Sequence, residues 1–195
     1  MEINIIPATP DDAPFIAQVV LGAIGKEHTL EMAGSPERLP LVKQVFTNLA
    51  AMDNSQYSYR NTLLAVTPER EYAGAVVNYD GAALHSLRRA FISEANRLLD
   101  WGLKESDFPD ETSPDELYLD SLMVLPKYRR NGIGTKLLEA VRKRGAALGK
   151  PVGLLVDFGN PNARRLYTAL GFRSVGQRPF AGKTMEHLRL PLQQP

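Results

Sequence analysis

The chain has 195 residues, no cysteine and a net charge of +1, which excludes disulfides, zinc ribbons and thiol catalysis and gives no global case for nucleic-acid binding. One domain of this length buries roughly 70% of its unfolded surface and needs no covalent staple. No apolar run approaches the ~18 residues of a membrane span, and MEINIIPATPDD lacks the basic segment and apolar core of a signal peptide, so a cytoplasmic location is expected.

Residues 2–6 alternate through Ile3 and Ile5 and read as a first strand that Pro7 stops. Thr9-Pro10-Asp11-Asp12 is a helix entry. Phe15, Ile16, Val19, Val20 and Ala23 follow at helical spacing, and Gly22 and Gly25 weaken the end. Residues 26–31, with His28, read as a polar connection. Ser35-Pro36-Glu37-Arg38 opens a second helix with Leu41, Val42, Val45, Phe46, Leu49 and Met52 on one face. Residues 62–66 and 72–77 read as a hairpin, in which Gly74 allows a close backbone approach or a bulge. Residues 80–115 then intervene, as one long helix (Leu84, Leu87, Phe91, Ala95, Leu98, Leu99) broken at Gly102 and a loop over 107–115. An insertion of this length reads as a lid over an acceptor site or as a packing or dimer-forming helix.

Residues 116–138, ELYLDSLMVLPKYRRNGIGTKLL, read as strand, basic turn and helix start. Alternation places Leu117, Leu119, Ser121 and Met123 on one face and Tyr118, Asp120, Leu122 and Val124 on the other; Pro126 ends the ladder. Arg129, Gly132 and Gly134 then form R-x-x-G-x-G ahead of a helix marked by Ile133, Leu137, Leu138 and Val141. A helix start has unpaired N–H groups and a positive dipole end, glycine admits an anion closely, and Lys127, Arg129 and Arg130 add charge. Such a turn suits phosphate. It is not a dinucleotide fingerprint, because Leu137 stands at the third glycine, nor a Walker loop. Alone, the six residues also fit an ordinary strand-to-helix turn with solvated arginines.

Residues 151–157 form a buried-strand run. Asn160 to Phe172 then fit N-x-x-A-x-x-L-Y-x-x-x-G-F at every defined position. Closing strands over 172–177 and 184–190 flank a connection at 178–183, Pro191 ends the last, and the tail 193–195 is expected to fray.

In this order and spacing the two motifs resemble the signatures of the GNAT N-acetyltransferase superfamily, clearly from about residue 118 to 190. The resemblance implies a single α/β domain over 1–195: a mixed, mostly antiparallel central sheet of about seven strands flanked by helices, with the 80–115 helical insertion between the third and fourth strands. It implies acetyl-CoA as acyl donor, no metal, and direct attack by an amine without an acyl-enzyme. It assigns Leu122, Met123 and Val124 as backbone partners of the pantetheine arm, with the Val124 N–H as oxyanion donor. Arg129, Arg130, Asn131, Gly132, Ile133, Gly134 and Thr135 would hold the pyrophosphate. Asn160 would bond the pantetheine arm and cap its helix, and Tyr167 would protonate the departing thiolate, since a phenol of pKa near ~10 keeps its proton at neutral pH. Asp120 and Glu116 are the candidate bases, on the face of Val124. Asp120 lies ~13 Å from Val124 along the strand, so it would act through water. A hydrogen-bonded strand residue is the equal alternative.

Charge is uneven. Lys127, Arg129, Arg130, Lys136, Arg142, Lys143, Arg144 and Lys150 face a single acid, Glu139, whereas Glu105, Asp107, Asp110, Glu111, Asp115 and Glu116 form a run without a base. The pair reads as a basic wall for a polyanionic cofactor and an acidic mouth for a cationic acceptor, or as two solvated faces. The acceptor, a small-molecule or peptide amine, stays open, as does monomer against homodimer. The competing reading is a non-catalytic acyl-CoA-binding or regulatory module on the same fold, against which stand both loop glycines, Asn160 and Tyr167.

Overall fold

The computed structural model describes residues 1–192; the tail expected to fray, 193–195, lies outside the described residues. Seven strands form one sheet in the order β1-β2-β3-β4-β5-β7-β6. They are β1 (Asn4–Pro7), β2 (Thr62–Val66), β3 (Tyr72–Asp80), β4 (Leu117–Val124), β5 (Val152–Asp157), β6 (Arg173–Phe180) and β7 (Lys183–Leu190). All neighbours are antiparallel except β4 and β5. The helices are α1 (Ala13–Ile24), α2 (Lys26–Ala33), α3 (Leu39–Ala51), α4 (Leu84–Leu99), α5 (Ile133–Ala147) and α6 (Pro161–Ala169). None among the described residues is long and apolar enough to cross a membrane.

The sheet separates two apolar clusters. On one face α1, α3 and α4 bring Phe15, Ile16, Val20, Phe46, Leu49, Phe91 and Leu99 onto Leu64, Ala75 and Val77. On the other, α5 and α6 pack Ile133, Leu137, Val141 and Leu166 onto Leu117, Leu119, Leu154 and Val156. Each fully buried side chain of this size contributes roughly 1.5–3 kcal/mol. The insertion helix α4 belongs to the first cluster through Phe91, Ala95 and Leu99. It ends at Leu99, where Asp100 takes a left-handed conformation, ahead of the break expected at Gly102.

Several local expectations change. Pro7 is the last paired residue of β1, opposite Leu63, because an edge position asks no N–H of it. The polar connection around His28 is helix α2, closed by Gly34 at φ +74. Gly22 lies inside α1, where an added Cβ would collide with the Met123 sulfur, so its smallness lets α1 sit close on β4. The connection expected at 178–183 is mostly strand, the hairpin tightening to Ala181-Gly182.

The consequential difference lies in β4. Val77 pairs with Ser121 but Asn78 pairs with Leu119, so Asp120 is an extra residue and β4 bulges there. A bulge resets alternation. Leu122 and Val124 therefore join Leu117 and Leu119 on the α5 face, and Met123 turns to the α1 face, against the uninterrupted alternation expected from sequence.

Candidate active site

Beyond the bulge β4 parts from β5. The two strands pair only over Leu117–Leu119 against Val152–Leu154, while β4 runs on to Val124 and β5 to Asp157. The backbone facing the resulting opening follows from register. Leu125 donates to Ala73 O at 2.9 Å, so this pair, and by alternation Met123 with Ala75, exchange hydrogen bonds with β3. The N–H and C=O of Leu122 and Val124 then point away from β3, into the opening. Met123, expected as a third backbone partner, has its polar groups turned to β3. Gly74 lies opposite Val124, and a Cβ there would meet Met123 O at 2.5 Å and Val124 Cα at 3.1 Å. Only glycine lets β3 hold this part of β4 without pushing it.

The loop after β4 stands at the mouth of the opening. Arg130 and Gly132 both take positive φ, +64 and +72, which turns the chain into α5. The first α5 bond is Lys136 N–H to Gly132 O, at 3.1 Å, and no side chain caps the helix. The N–H groups of Ile133, Gly134 and Thr135 thus remain for a ligand. Asn131 braces the loop, its Nδ2 donating to Tyr128 O at 3.2 Å and Arg129 O at 3.1 Å. Arg129 Nε donates to Val124 O at 3.1 Å. Arg130 is exposed and without a partner among the described residues. Lys127 is tied to Glu71 at 2.9 Å.

Gly134 marks the convergence point: a Cβ there would touch Leu166 Cδ2 at 3.8 Å and Val124 Cγ2 at 4.0 Å. The loop, the open half of β4 and α6 meet at that residue. Asn160 caps α6, its Oδ1 accepting from Ala163 N–H at 3.1 Å, which leaves its amide NH₂ to donate elsewhere. One residue beyond Leu166, the Tyr167 ring packs 5.5 Å from Phe172, half-buried, and burial pushes its phenol up to about 12. Arg164 is held by Glu186 at 2.6 and 3.1 Å.

Asp120 faces the other side of the sheet. Its carboxylate accepts from Ser121 Oγ at 2.7 Å. Burial pushes it up, and with the nearby charge of Glu111 outweighs that hydrogen bond, bringing it to about 7. The bulge therefore puts Asp120 and Val124 on opposite faces, contrary to the shared face expected. Beside Asp120 stands Tyr57, which sequence reasoning missed. Phe46 at 5.0 Å and Phe91 at 6.2 Å fix its ring edge-on. Burial, then the charges of Asp120 and Glu111, push its phenol far above the ordinary value. Among the described residues its hydroxyl has no hydrogen-bond partner, whereas that of Tyr79 reaches Glu111 at 3.0 Å. The only sequence signal was an aromatic pair in the polar connection Ser55-Gln56-Tyr57-Ser58-Tyr59.

Glu116, the other candidate base, is spent on structure. Burial pushes its carboxyl up, but hydrogen bonds from His187, Thr112 and the Ser113 N–H outweigh that and hold it at about 2. Arg189 adds a contact at 2.6 Å. The rest of the acidic run, apart from Asp107, which among the described residues accepts only from the Lys104 N–H at 2.8 Å, is likewise answered. Arg88, 2% exposed, meets Glu111, Glu105 at 3.1 Å and Asp110 at 3.4 Å, and Arg189 grips Asp115 at 2.7 and 2.9 Å. No cluster of three metal-ligating side chains occurs among the described residues.

Known proteins share this fold and part of this sequence. Residues 92–172 match the family model described as Acetyltransferase (GNAT) family. A 97-residue stretch, 45% of the chain, is 38% identical to N-alpha-acetyltransferase 40 of Saccharomyces cerevisiae and spans 34%, about a third, of that protein. A crystal structure described as an acetyltransferase is 28% identical, covering 97% of this chain and 100% of its own, with a TM-score of 0.75. An N-acetyltransferase from Staphylococcus aureus Mu50 matches in fold, at 23% identity over 96% of this chain and 100% of that one, also with a TM-score of 0.75. The fold and the paired signatures are those of acetyltransferases, and residues 92–172 carry the similarity to the GNAT family.

Proposed function

We propose that the chain transfers an acetyl group from acetyl-CoA to a primary amine by direct attack. The observation that carries this is the parting of β4 from β5 after Leu119, which turns the backbone of Leu122 and Val124 toward an opening headed by the uncapped α5. The residues fit the donor. Ile133, Gly134 and Thr135 N–H groups with Arg129 and Arg130 would hold its pyrophosphate. Leu122 and Val124 would pair its pantetheine arm as an added strand edge, and the Asn160 amide would donate to it.

The two faces of the sheet divide the chemistry. On the α3–α4 face the amine loses a proton through water to Asp120, whose carboxyl near 7 suits a base at neutral pH. The Tyr57 hydroxyl orients that amine or the water beside it. As the nitrogen bonds to the thioester carbon, the Val124 N–H donates to the oxyanion. On the α6 face Tyr167 gives its proton to the leaving sulfur when the C–S bond breaks. The products are an amide and CoA. The similarity to an N-alpha-acetyltransferase supports a peptide α-amino group as the first acceptor class to examine.

The test is release of CoA thiol from acetyl-CoA across a panel of peptide N-termini, lysine side chains and polyamines. Turnover with one class, and its loss in Asp120→Asn, supports the reading. Tight acetyl-CoA binding with no acceptor in the panel would favour the non-catalytic module instead.

A further inference from the structure

Away from the opening, on the flank of α5 that faces β1 and β2, lies a trough of 590 Å³ lined by Ile5, Leu63, Thr135, Lys136, Glu139, Ala140, Lys143 and Arg144. Its floor is apolar: Ile5 and Leu63 belong to the sheet face that α5 leaves half-covered. Its wall is cationic. The one acid, Glu139, is taken by Arg142 at 2.8 Å. Lys136, Lys143 and Arg144 have no carboxylate partner among the described residues.

Arg144 is the telling residue. It is half-buried, and burial pulls its guanidinium below the ordinary value. The only group answering it among the described residues is the neutral Asn78 Oδ1, at 3.1 Å. Asn78 is itself fully buried and donates to Asn61 O at 3.3 Å, which fixes the amide. Burying a cation against a neutral dipole is costly unless an anion completes the site. Arg88, by contrast, is buried among carboxylates of its own chain.

We propose that this trough binds a small organic anion, one phosphate or carboxylate head against Arg144 and Lys143 and an apolar body over Ile5 and Leu63. The volume falls in the range of small-molecule sites, and the lining sets an apolar floor beside a largely cationic wall. The head reaches the guanidinium in two-pronged fashion, the geometry that favours Arg for either oxyanion. The proposal does not rest on the acetyl-CoA reading: Thr135 borders both places, but the head sits against Lys143 and Arg144, about two turns along α5 from the loop.

Calorimetric titration of the full chain with phenyl phosphate, 4-phenylbutyrate and uncharged 2-phenylethanol, each with and without saturating CoA, tests it. At least one anion is expected to bind with a Kd of about 1 mM or tighter, CoA present or absent, and the alcohol is not. Which anion binds better names the head. Arg144→Gln is expected to weaken binding about tenfold or more with an unchanged thermal melt. The exposed Lys143→Glu shifts affinity in the same direction and decides the matter if Arg144→Gln folds poorly. Failure of both anions to bind, competition with CoA, or wild-type affinity in Lys143→Glu overturns the proposal.

Discussion

As sequence, the acidic run before β4 and the basic run after it look equivalent: each is a block of one sign beside a strand. In the fold they differ in what answers the charge. Glu105, Asp110 and Glu111 converge on Arg88, and Asp115 and Glu116 on Arg189, with Arg178 of β6 donating to Asp110 O at 3.1 Å. The acids fasten the 105–116 loop to α4, β6 and β7. Arg129, Arg130, Lys136, Lys143 and Arg144 keep no carboxylate among the described residues. A charge run therefore marks a ligand site only where its own chain leaves it unanswered. The acidic mouth expected for a cationic acceptor is a fastening instead.

The largest effect is expected from Arg88→Leu. It strands buried Glu111 and is expected to cost about 3–5 kcal/mol in urea unfolding. Normal stability with a raised acceptor KM would restore the acidic-mouth reading. On the basic side, Gly132→Glu places a carboxylate among the α5 N–H groups and forces a side chain into positive φ. We expect acetyl-CoA affinity to fall about 100-fold or more. A change under tenfold would move the phosphates elsewhere.

Tyr167→Phe leaves both charge runs intact and isolates the proton donor. Its kcat should fall about 100-fold with acetyl-CoA affinity nearly unchanged. Wild-type turnover would relieve Tyr167 of that role. A smaller effect is expected from Asp120→Asn, read in pH profiles. The wild-type kcat/KM should rise through about pH 7 as the carboxyl ionises, and the variant should lose that limb. Stability carries the opposite slope. The folded pKa lies above the unfolded value of about 4, so the folded state binds the extra proton between them. Stability at this site falls as pH rises from about 4 to about 7, and Asp120→Asn should flatten the fall. The smallest change is expected from the exposed Arg129→Gln, a few-fold in acetyl-CoA affinity that shrinks with salt.

What sequence revealed follows the range of each interaction. The β2–β3 hairpin, the α5 start at Gly132 and the Asn160 cap depend on neighbours a few residues away, and periodicity and turn chemistry exposed them. The Asp120 bulge depends on how β4 registers against β3, which alternation along one strand cannot contain. It moved Leu122 and Val124 to the face opposite the one expected and separated them from Asp120. The partners of the acidic run come from α4, β6 and β7, and Tyr57 from a connection without a period. Of the candidate site, the loop was legible. The divided faces around it required the sheet.

In the proposed function the uncapped α5 and the open half of β4 hold the acyl donor. Calorimetric titration with acetyl-CoA tests it most directly, using wild type, Gly132→Glu and Arg144→Gln. One site per chain is expected in wild type, with loss in Gly132→Glu and retention in Arg144→Gln. Saturable binding that survives Gly132→Glu, or no binding to wild type, would contradict it.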